Sequence, residues 1–197
     1  MAPRSATCFI SGVPRIPVSL DPRVTALVDG TRVVTRPVTP PDGFWLTRGL
    51  KRLSPQGNAY RFLHHRKKFT EAELHYLTHC DFVDHIGLVM GVLNAAGREI
   101  DGVGVARCIR SADDPALAEA AIVFVDEWQG RGAGKILLGH LADLAWQAGI
   151  RRWQAFIHHD NTAAEFLFRK FGRETGRGRP GYGVSEVTYV LHRPPDE

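Results

Sequence analysis

The 197 residues are 44% hydrophobic and 23% charged, with 25 basic against 21 acidic side chains and a formal net charge of +4. That is enough apolar material for one sizeable core, and the charge excess is too small to argue for a nucleic-acid partner. No uncharged apolar run approaches twenty residues, which argues against a membrane partner, and Cys8, Cys80 and Cys108 form no C-x-x-C pair, so reduced thiols in a cytoplasmic protein are expected.

Residues 1–24 hold four prolines and no sustained periodicity, and read as an arm, extended or disordered, before a domain spanning 25–193. Thr31 to Val38 is a β-branched run that reads as a strand. It closes at Pro40-Pro41-Asp42, where Asp42 is placed to cap a helix running to about Leu53. Ser54-Pro55-Gln56-Gly57 breaks that helix, Tyr60 to His65 reads as a short second one, and Thr70 with Glu73 forms a capping box for a third through about His79. Asp81 is expected to start a strand. Ile86–Leu93 and Val103–Ile109 follow as apolar strands joined by a hairpin-like Asn94-to-Arg98 connection, and Ser111 to Pro115 is a polar loop.

Ala120 to Val125 is apolar and rich in β-branched residues, which suits a strand buried on both faces. The segment Gln129-Gly130-Arg131-Gly132-Ala133-Gly134-Lys135 comes next, and a helix opens from it, with Leu137, Leu141, Leu144 and Ala148 on one face and Gly149 at its end. Glycines let backbone approach a ligand, the helix N-terminus offers unpaired amides and a favourable dipole, and Arg131 and Lys135 add positive charge. The seven residues therefore read as an anion site for a coenzyme diphosphate. The phosphate-binding pattern G-x-x-x-x-G-K-[ST] fails, because Gln129 stands five residues before Gly134 and Ile136 replaces the hydroxyl. The dinucleotide pattern G-x-G-x-x-G fails at Lys135.

Arg152 to His158 alternates with Trp153, Ala155 and Ile157 on one face. Asn161 can cap a helix bearing Ala164, Leu167, Phe168 and Phe171, which Gly172 ends. Arg173 to Gly183 reads as a basic, glycine-rich turn, and Val184 to Leu191 as a closing strand. The order β-α-α-β-β-β-α-β-α-β implies an α+β fold, a mixed sheet flanked by helices in a single domain.

The spacing Gln129, Gly132, Gly134 after a strand resembles the Q-x-x-G-x-G diphosphate motif of the GNAT superfamily of acyl-CoA-dependent N-acyltransferases. The element order is also that of the GNAT fold over roughly residues 25–192. Within it the chain is most similar to bacterial protein lysine acetyltransferases of the Pat type, through RVVTRPVTPPD, LSPQGNAYRFLHHRKKFTEAELHYLTHCDFVDH, GVARCIR and AEAAIVFVDEWQGRGAG. The resemblance implies acetyl-CoA as co-substrate and a primary amine, such as a protein lysine, as acceptor. It implies strand-end backbone at Phe124, Val125 and Asp126 for the pantetheine amides, and the A-E-x-A glutamate, here Glu119, as catalytic base. Many members protonate the leaving thiolate with a tyrosine in the late helix, but that position is Phe168 here. Asn161 could hold the pantetheine arm, with helix capping as its structural alternative.

Chemistry agrees that a base is needed. A lysine of pKa ~10.4 is only about 0.04% neutral at pH 7, a handicap of ~4.6 kcal/mol for nucleophilic attack. Glu119 heads an otherwise apolar strand, where partial burial would move it toward neutrality. Asp126 and Glu127 are rivals beside the glycine turn, where capping is their simpler role. His75, His79, His85 and the His158-His159-Asp160 cluster lack an H-E-x-x-H pattern, and no metal is expected. Arg177 and Arg179 could attract an anion, or lie in a solvated hairpin. Residues 42–85 and 173–185 are the expected walls of the acceptor pocket. A sensor that binds acyl-CoA without catalysis is the alternative from a different class, and a small-molecule amine the alternative acceptor.

Overall fold

The computed structural model describes residues 21–63 and 65–194, apart from the side chains of Arg179 and Pro180. Strands β1 (Arg23–Ala26), β2 (Arg32–Pro37), β3 (His85–Leu93), β4 (Glu99–Arg110), β5 (Leu117–Phe124), β6 (Arg152–His158), β7 (Gly172–Gly181) and β8 (Val184–Leu191) form one sheet. Their order is β1-β2-β3-β4-β5-β6-β8-β7. Neighbours are antiparallel except β5 and β6, which run parallel and pair only over Leu117–Glu119 against Arg152–Gln154. Beyond Gln154, β6 pairs with β8 alone, so the β5 edge from Ala120 to Phe124 faces an opening. This is the mixed α+β sheet that the element order implied.

Helices α1 (Gly43–Leu50), α2 (Pro55–Phe62), α3 (Glu71–Thr78), α4 (Ala133–Gln147) and α5 (Thr162–Phe171) complete the fold. α4 packs on β3, β4 and β5, and buries Leu137, Leu138, Leu141 and Leu144 against Ala106, Cys108, Ala118 and Trp153. Full burial of each leucine contributes at most about 2–3 kcal/mol. α1 packs against β4 and α2 against β5. Alternation along β4 and β5 sets Val105, Arg107, Glu119, Ala121 and Val123 on the side opposite α4. β5 is therefore closed by the core on one face, where Ala118, Ala120 and Phe124 are buried. On the other face Ala121 and Val123 are only half-buried, which corrects the expectation that Ala120 to Val125 is buried on both faces, and Glu119 just before them is exposed.

Several boundaries differ from expectation for local physical reasons. Residues 1–20 of the expected arm lie outside the described residues, but Arg23 and Val24 already pair with Thr35 and Val34 in the sheet. Asp42 precedes α1 without a side-chain cap. It is 2% exposed and takes a bidentate pair from Arg36 at 2.8 and 2.7 Å, as well as the Thr39 amide at 2.7 Å. Burial opposes its ionisation, but the hydrogen bonds from Arg36 and Thr39 outweigh that and hold its carboxyl below the usual range. Ser54-Pro55 does end α1, yet it also begins α2: Ser54 Oγ accepts the Gly57 amide at 3.0 Å and Pro55 takes the first helical position. The second helix therefore precedes the expected Tyr60–His65 span and stops at Leu63, whose φ is +59°. Asp81 starts no strand, because its Oδ1 accepts the Val83, Asp84 and His85 amides in a turn before β3. Arg173 to Gly181 is no turn but most of edge strand β7, paired with β8. Arg177 lies between Glu165 and Glu174 on that strand, while the Arg179 side chain lies outside the described residues. Sheet pairing overrode the glycine-rich composition there.

Two buried histidines tie stability to pH. His140, 4% exposed, shares a 2.8 Å hydrogen bond with Thr35, and His85, 7% exposed, faces Arg107 at 3.1 Å. Burial, followed by the charge of Arg23 for His140 and of Arg107 for His85, lowers each to about 4. The folded form is favoured above the ordinary histidine value near 6.5. That advantage is lost as pH falls toward 4, where only the unfolded chain takes up the protons. Urea titrations should show stability declining by up to ~1.4 kcal/mol per pH unit per histidine between about 6.5 and 4. His140→Gln should remove one histidine's share of the slope; an unchanged slope would mean His140 does not titrate as its burial requires.

Candidate active site

The opening between β5 and β6 leads into a cleft of about 540 Å³. Its floor is Ile122, Val123 and Phe124. Trp128, Gln129, Gly130, Gly132, Gly134 and Lys135 form one wall, and Asn161, Ala164, Leu167 and Lys170 of α5 the other. Gly130 and Gly132 have φ of +74° and +79°, a left-handed conformation that glycine adopts without the penalty a side chain brings. Gly132 is the N-cap of α4 and has no side chain to cap it, so the first amides of a 15-residue helix remain for a ligand. A Cβ at Gly132 would meet no protein atom within 4 Å, which makes this cradle open space rather than packed core.

Other expected positions are engaged differently. Gln129 Nε2 donates to the Phe124 carbonyl at 3.2 Å, bracing the turn against the strand end. Arg131 stacks on Trp128 at 4.0 Å and forms an ion pair with Asp29, so its side chain does not line the cleft. Ala133 is 1% exposed and packs in the core. Val125 is a correction: its amide donates to Val103 O at 3.0 Å and its carbonyl accepts from Trp128 at 2.9 Å. Its backbone thus serves the fold, and open strand-edge backbone lies at Ile122 to Phe124. Asp126 accepts the Ser54 amide at 3.1 Å and Glu127 pairs with Arg52 at 2.5 Å, which fixes both as braces between the turn and the α1–α2 corner.

Glu119 and Asn161, far apart in sequence, line one adjoining cavity with Tyr60, Arg61, Arg66 and Phe168. Glu119 is exposed rather than partly buried as expected, and its position is what qualifies it. Asn161 Oδ1 accepts the Ala164 amide at 3.1 Å and caps α5. Phe168, 3% exposed, stacks on Tyr189 at 5.6 Å and meets Trp153 edge-on at 6.0 Å. The Tyr189 hydroxyl is buried without a partner, and burial raises it to about 12. Tyr60, Arg61 and Lys170 line the cleft without having been singled out. The misplaced start of α2 hid the first two, whereas Lys170 falls three residues beyond Leu167 on the already recognised face of α5. Among the described residues, no group of three or more His, Cys, Asp or Glu side chains could hold a metal ion, and His75 and His79 stack on each other at 3.8 Å.

The sequence profile of the acetyltransferase (GNAT) family matches residues 57–172, and the chain belongs to that family, whose enzymes are N-acetyltransferases using acetyl-CoA. It is 32% identical over 154 residues to Acetyltransferase Pat of Mycolicibacterium smegmatis; the match covers 77% of this chain and 44% of that protein, so the chain spans less than half of the relative's length. It is 29% identical over 170 residues to an acetyltransferase of Pseudomonas aeruginosa, covering 86% of this chain and 87% of the relative. The crystal structure of the GNAT domain of S. lividans PAT superposes with a TM-score of 0.73 at 30% identity, over 86% of this chain and 97% of that one.

Two substitutions separate the roles available to Asn161. Asn161→Ala should lose about 1 kcal/mol of stability in urea unfolding, the usual worth of a helix cap. Asn161→Asp should restore stability because it also caps, but it cannot donate an amide N–H. Calorimetry with acetyl-CoA should then show both variants weakened; full affinity in Asn161→Asp would reduce Asn161 to a cap.

Proposed function

We propose that this chain transfers an acetyl group from acetyl-CoA to a primary amine by direct attack, with Glu119 as general base. The observation that carries the reading is the opening between β5 and β6, with an uncapped helix N-terminus at one end and a carboxylate in the adjoining cavity at the other. Acetyl-CoA would supply the acetyl group as a thioester. Gly130, Gly132, Gly134 and the first α4 amides would hold its diphosphate, with Gln129, Arg131 and Ala133 shaping the turn and Lys135 adding charge. The β5 edge at Ile122 to Phe124, whose last carbonyl is already held by Gln129, would align the peptide-like arm, with Asn161 opposite. Glu119 takes the proton that the amine must lose, which is how the roughly 4.6 kcal/mol handicap of an ammonium at pH 7 is overcome. Phe168 has no proton to give, so the leaving sulfur leaves as thiolate or is protonated by water. A protein lysine as acceptor is supported by the likeness to Acetyltransferase Pat. Phe168, buried and without a hydroxyl, is the one feature that favours a non-catalytic acyl-CoA sensor instead. Cys80 and Cys108, the free cysteines among the described residues, suit a reducing cytoplasmic setting.

Gly132→Val places a branched side chain at φ +79° in the cradle and should weaken acetyl-CoA binding at least tenfold while the protein stays folded. Wild-type affinity by calorimetry in a folded variant would remove the diphosphate assignment. Glu119→Gln keeps size but loses the basic site, so coenzyme affinity should barely change while transfer falls roughly 10²–10⁴-fold at pH 7. The deficit should shrink toward pH ~10, where much of a lysine acceptor is already neutral. A gap constant with pH would give Glu119 a positioning role; coenzyme binding without transfer to any amine would favour the sensor.

A further inference from the structure

On the α1–α3 side of the sheet lies a second cavity, walled mainly by apolar side chains that include Trp45, Leu50, Phe62, Leu77, Val105 and Val123. Its two charged lining residues are Arg61 and Arg107. Arg107 is 4% exposed, and a guanidinium so buried ordinarily faces a carboxylate. Here it does not. Its Nη1 and Nη2 reach the Leu77 carbonyl at 3.4 Å, Nη1 donates to neutral His85 Nε2 at 3.1 Å, and the buried Nε has no partner.

Arg61, half-buried, stacks on Phe62 at 5.1 Å and has no ion pair with a carboxylate among the described residues. Loss of solvent and repulsion from Arg107 hold it down to about 10, against the attraction of the Glu119 charge. A third arginine, Arg66, is already paired with Glu73 at 2.5 Å. Two guanidinium groups thus line one apolar chamber without a carboxylate between them, and an anion with an apolar body would relieve both.

The walls select the anion. A carboxylate matches the planar guanidinium fork, and the apolar walls suit a ligand whose remaining surface is hydrocarbon. Position connects the chamber to the chemistry. Arg61 and Phe62 also line the cavity containing Glu119, and in the β4–β5 register Ile109 faces Glu119 while Arg107 faces Ala121, so Arg107 and Glu119 share a sheet face.

We propose that this chamber binds the carboxylate of the acceptor: a small amino acid-like amine whose carboxylate lies at Arg61 and Arg107 and whose amine reaches toward Glu119. The inference rests on the acetyl-transfer reading above and takes a small amino acid-like amine, rather than a protein lysine, as its acceptor. The same carboxylate chemistry could come from the distal end of a dicarboxylic acyl donor, and the test separates the two sources.

Binding is measured without turnover, by calorimetry of N-acetylleucine and its neutral amide. Wild type should bind the acid at least tenfold more tightly, and Arg107→Met should abolish the difference. That variant should be no less stable thermally, since it removes a buried charge that has no carboxylate partner. If it does not fold, Arg61→Met reads the same loss at a half-buried position. In turnover, leucine should be preferred over leucinamide by wild type and not by the variants. If acid and amide bind alike, or lysine peptides are acetylated while amino acids are neither bound nor modified, the chamber assignment is overturned. If the variants instead lose a preference for succinyl-CoA over butyryl-CoA, the anion site stands and its placement on the acceptor is overturned. Binding of the acid with no acetylation of any amine would leave the site standing and overturn the transferase reading.

Discussion

The parallel pairing of β5 and β6 stops after three residues, and the arrangement of the site depends on that interruption. A sheet that stayed zipped through Phe124 would satisfy the β5 edge internally and leave no room between α4 and α5. The departure of β6 toward β8 opens the edge at the level where β5 ends in the glycine turn. The cleft therefore begins at strand backbone and finishes at helix amides, two sets of donors that the fold does not use for itself. Covering such a cleft with a ligand rich in amides and phosphates costs the protein little rearrangement.

Interruption also requires bracing, and polar groups supply it. Gln129 holds the turn to the Phe124 carbonyl, Asp126 ties it to the start of α2, and Glu127 joins it to Arg52, which also pairs with Asp101 of β4 at 2.9 Å. These contacts link the α1–α2 corner to the end of β5. The wall containing Tyr60 and Arg61 is thereby positioned relative to the glycine turn, although the two are some seventy residues apart. Exposed pairs of this kind contribute little each to stability. Their effect here is to fix direction at the place where the sheet gives no hydrogen bonds.

The parts of the fold that were legible in sequence are those where one physical signal acts alone. Trp153, Ala155 and Ile157 alternate because β6 is buried on one face, and Thr70 with Glu73 marks the start of α3 because both halves of the capping box are local. The glycine turn was legible for the same reason, since positive φ at Gly130 and Gly132 demands glycine in the sequence itself. Legibility failed where distant partners decide. Asp42 looked like a helix cap but answers to Arg36, Asp81 looked like a strand start but folds back on its own amides, and β7 is a strand only because β8 lies beside it. Arg61 and Arg107 lie in segments that carry the Pat-type resemblance, but nothing in those segments marks them as lacking carboxylate partners. Their lack of carboxylate partners is a property of three dimensions.

That lack separates two kinds of buried polarity in the molecule. Arg36 meets Asp42 and Glu99, and Arg110 meets Asp84 and three backbone carbonyls, so both are neutralised and serve the fold. Arg107 is as deeply buried as Arg110 but finds only weak backbone contacts and a neutral imidazole. A guanidinium held this way destabilises the folded chain relative to a methionine of similar length. His85 shares in the penalty, because burial and then the neighbouring guanidinium make its protonation harder and add to the acid sensitivity of the fold. A group that weakens the fold on its own and lines a chamber on the same sheet face as Glu119 is better understood through what enters that chamber than through what surrounds it.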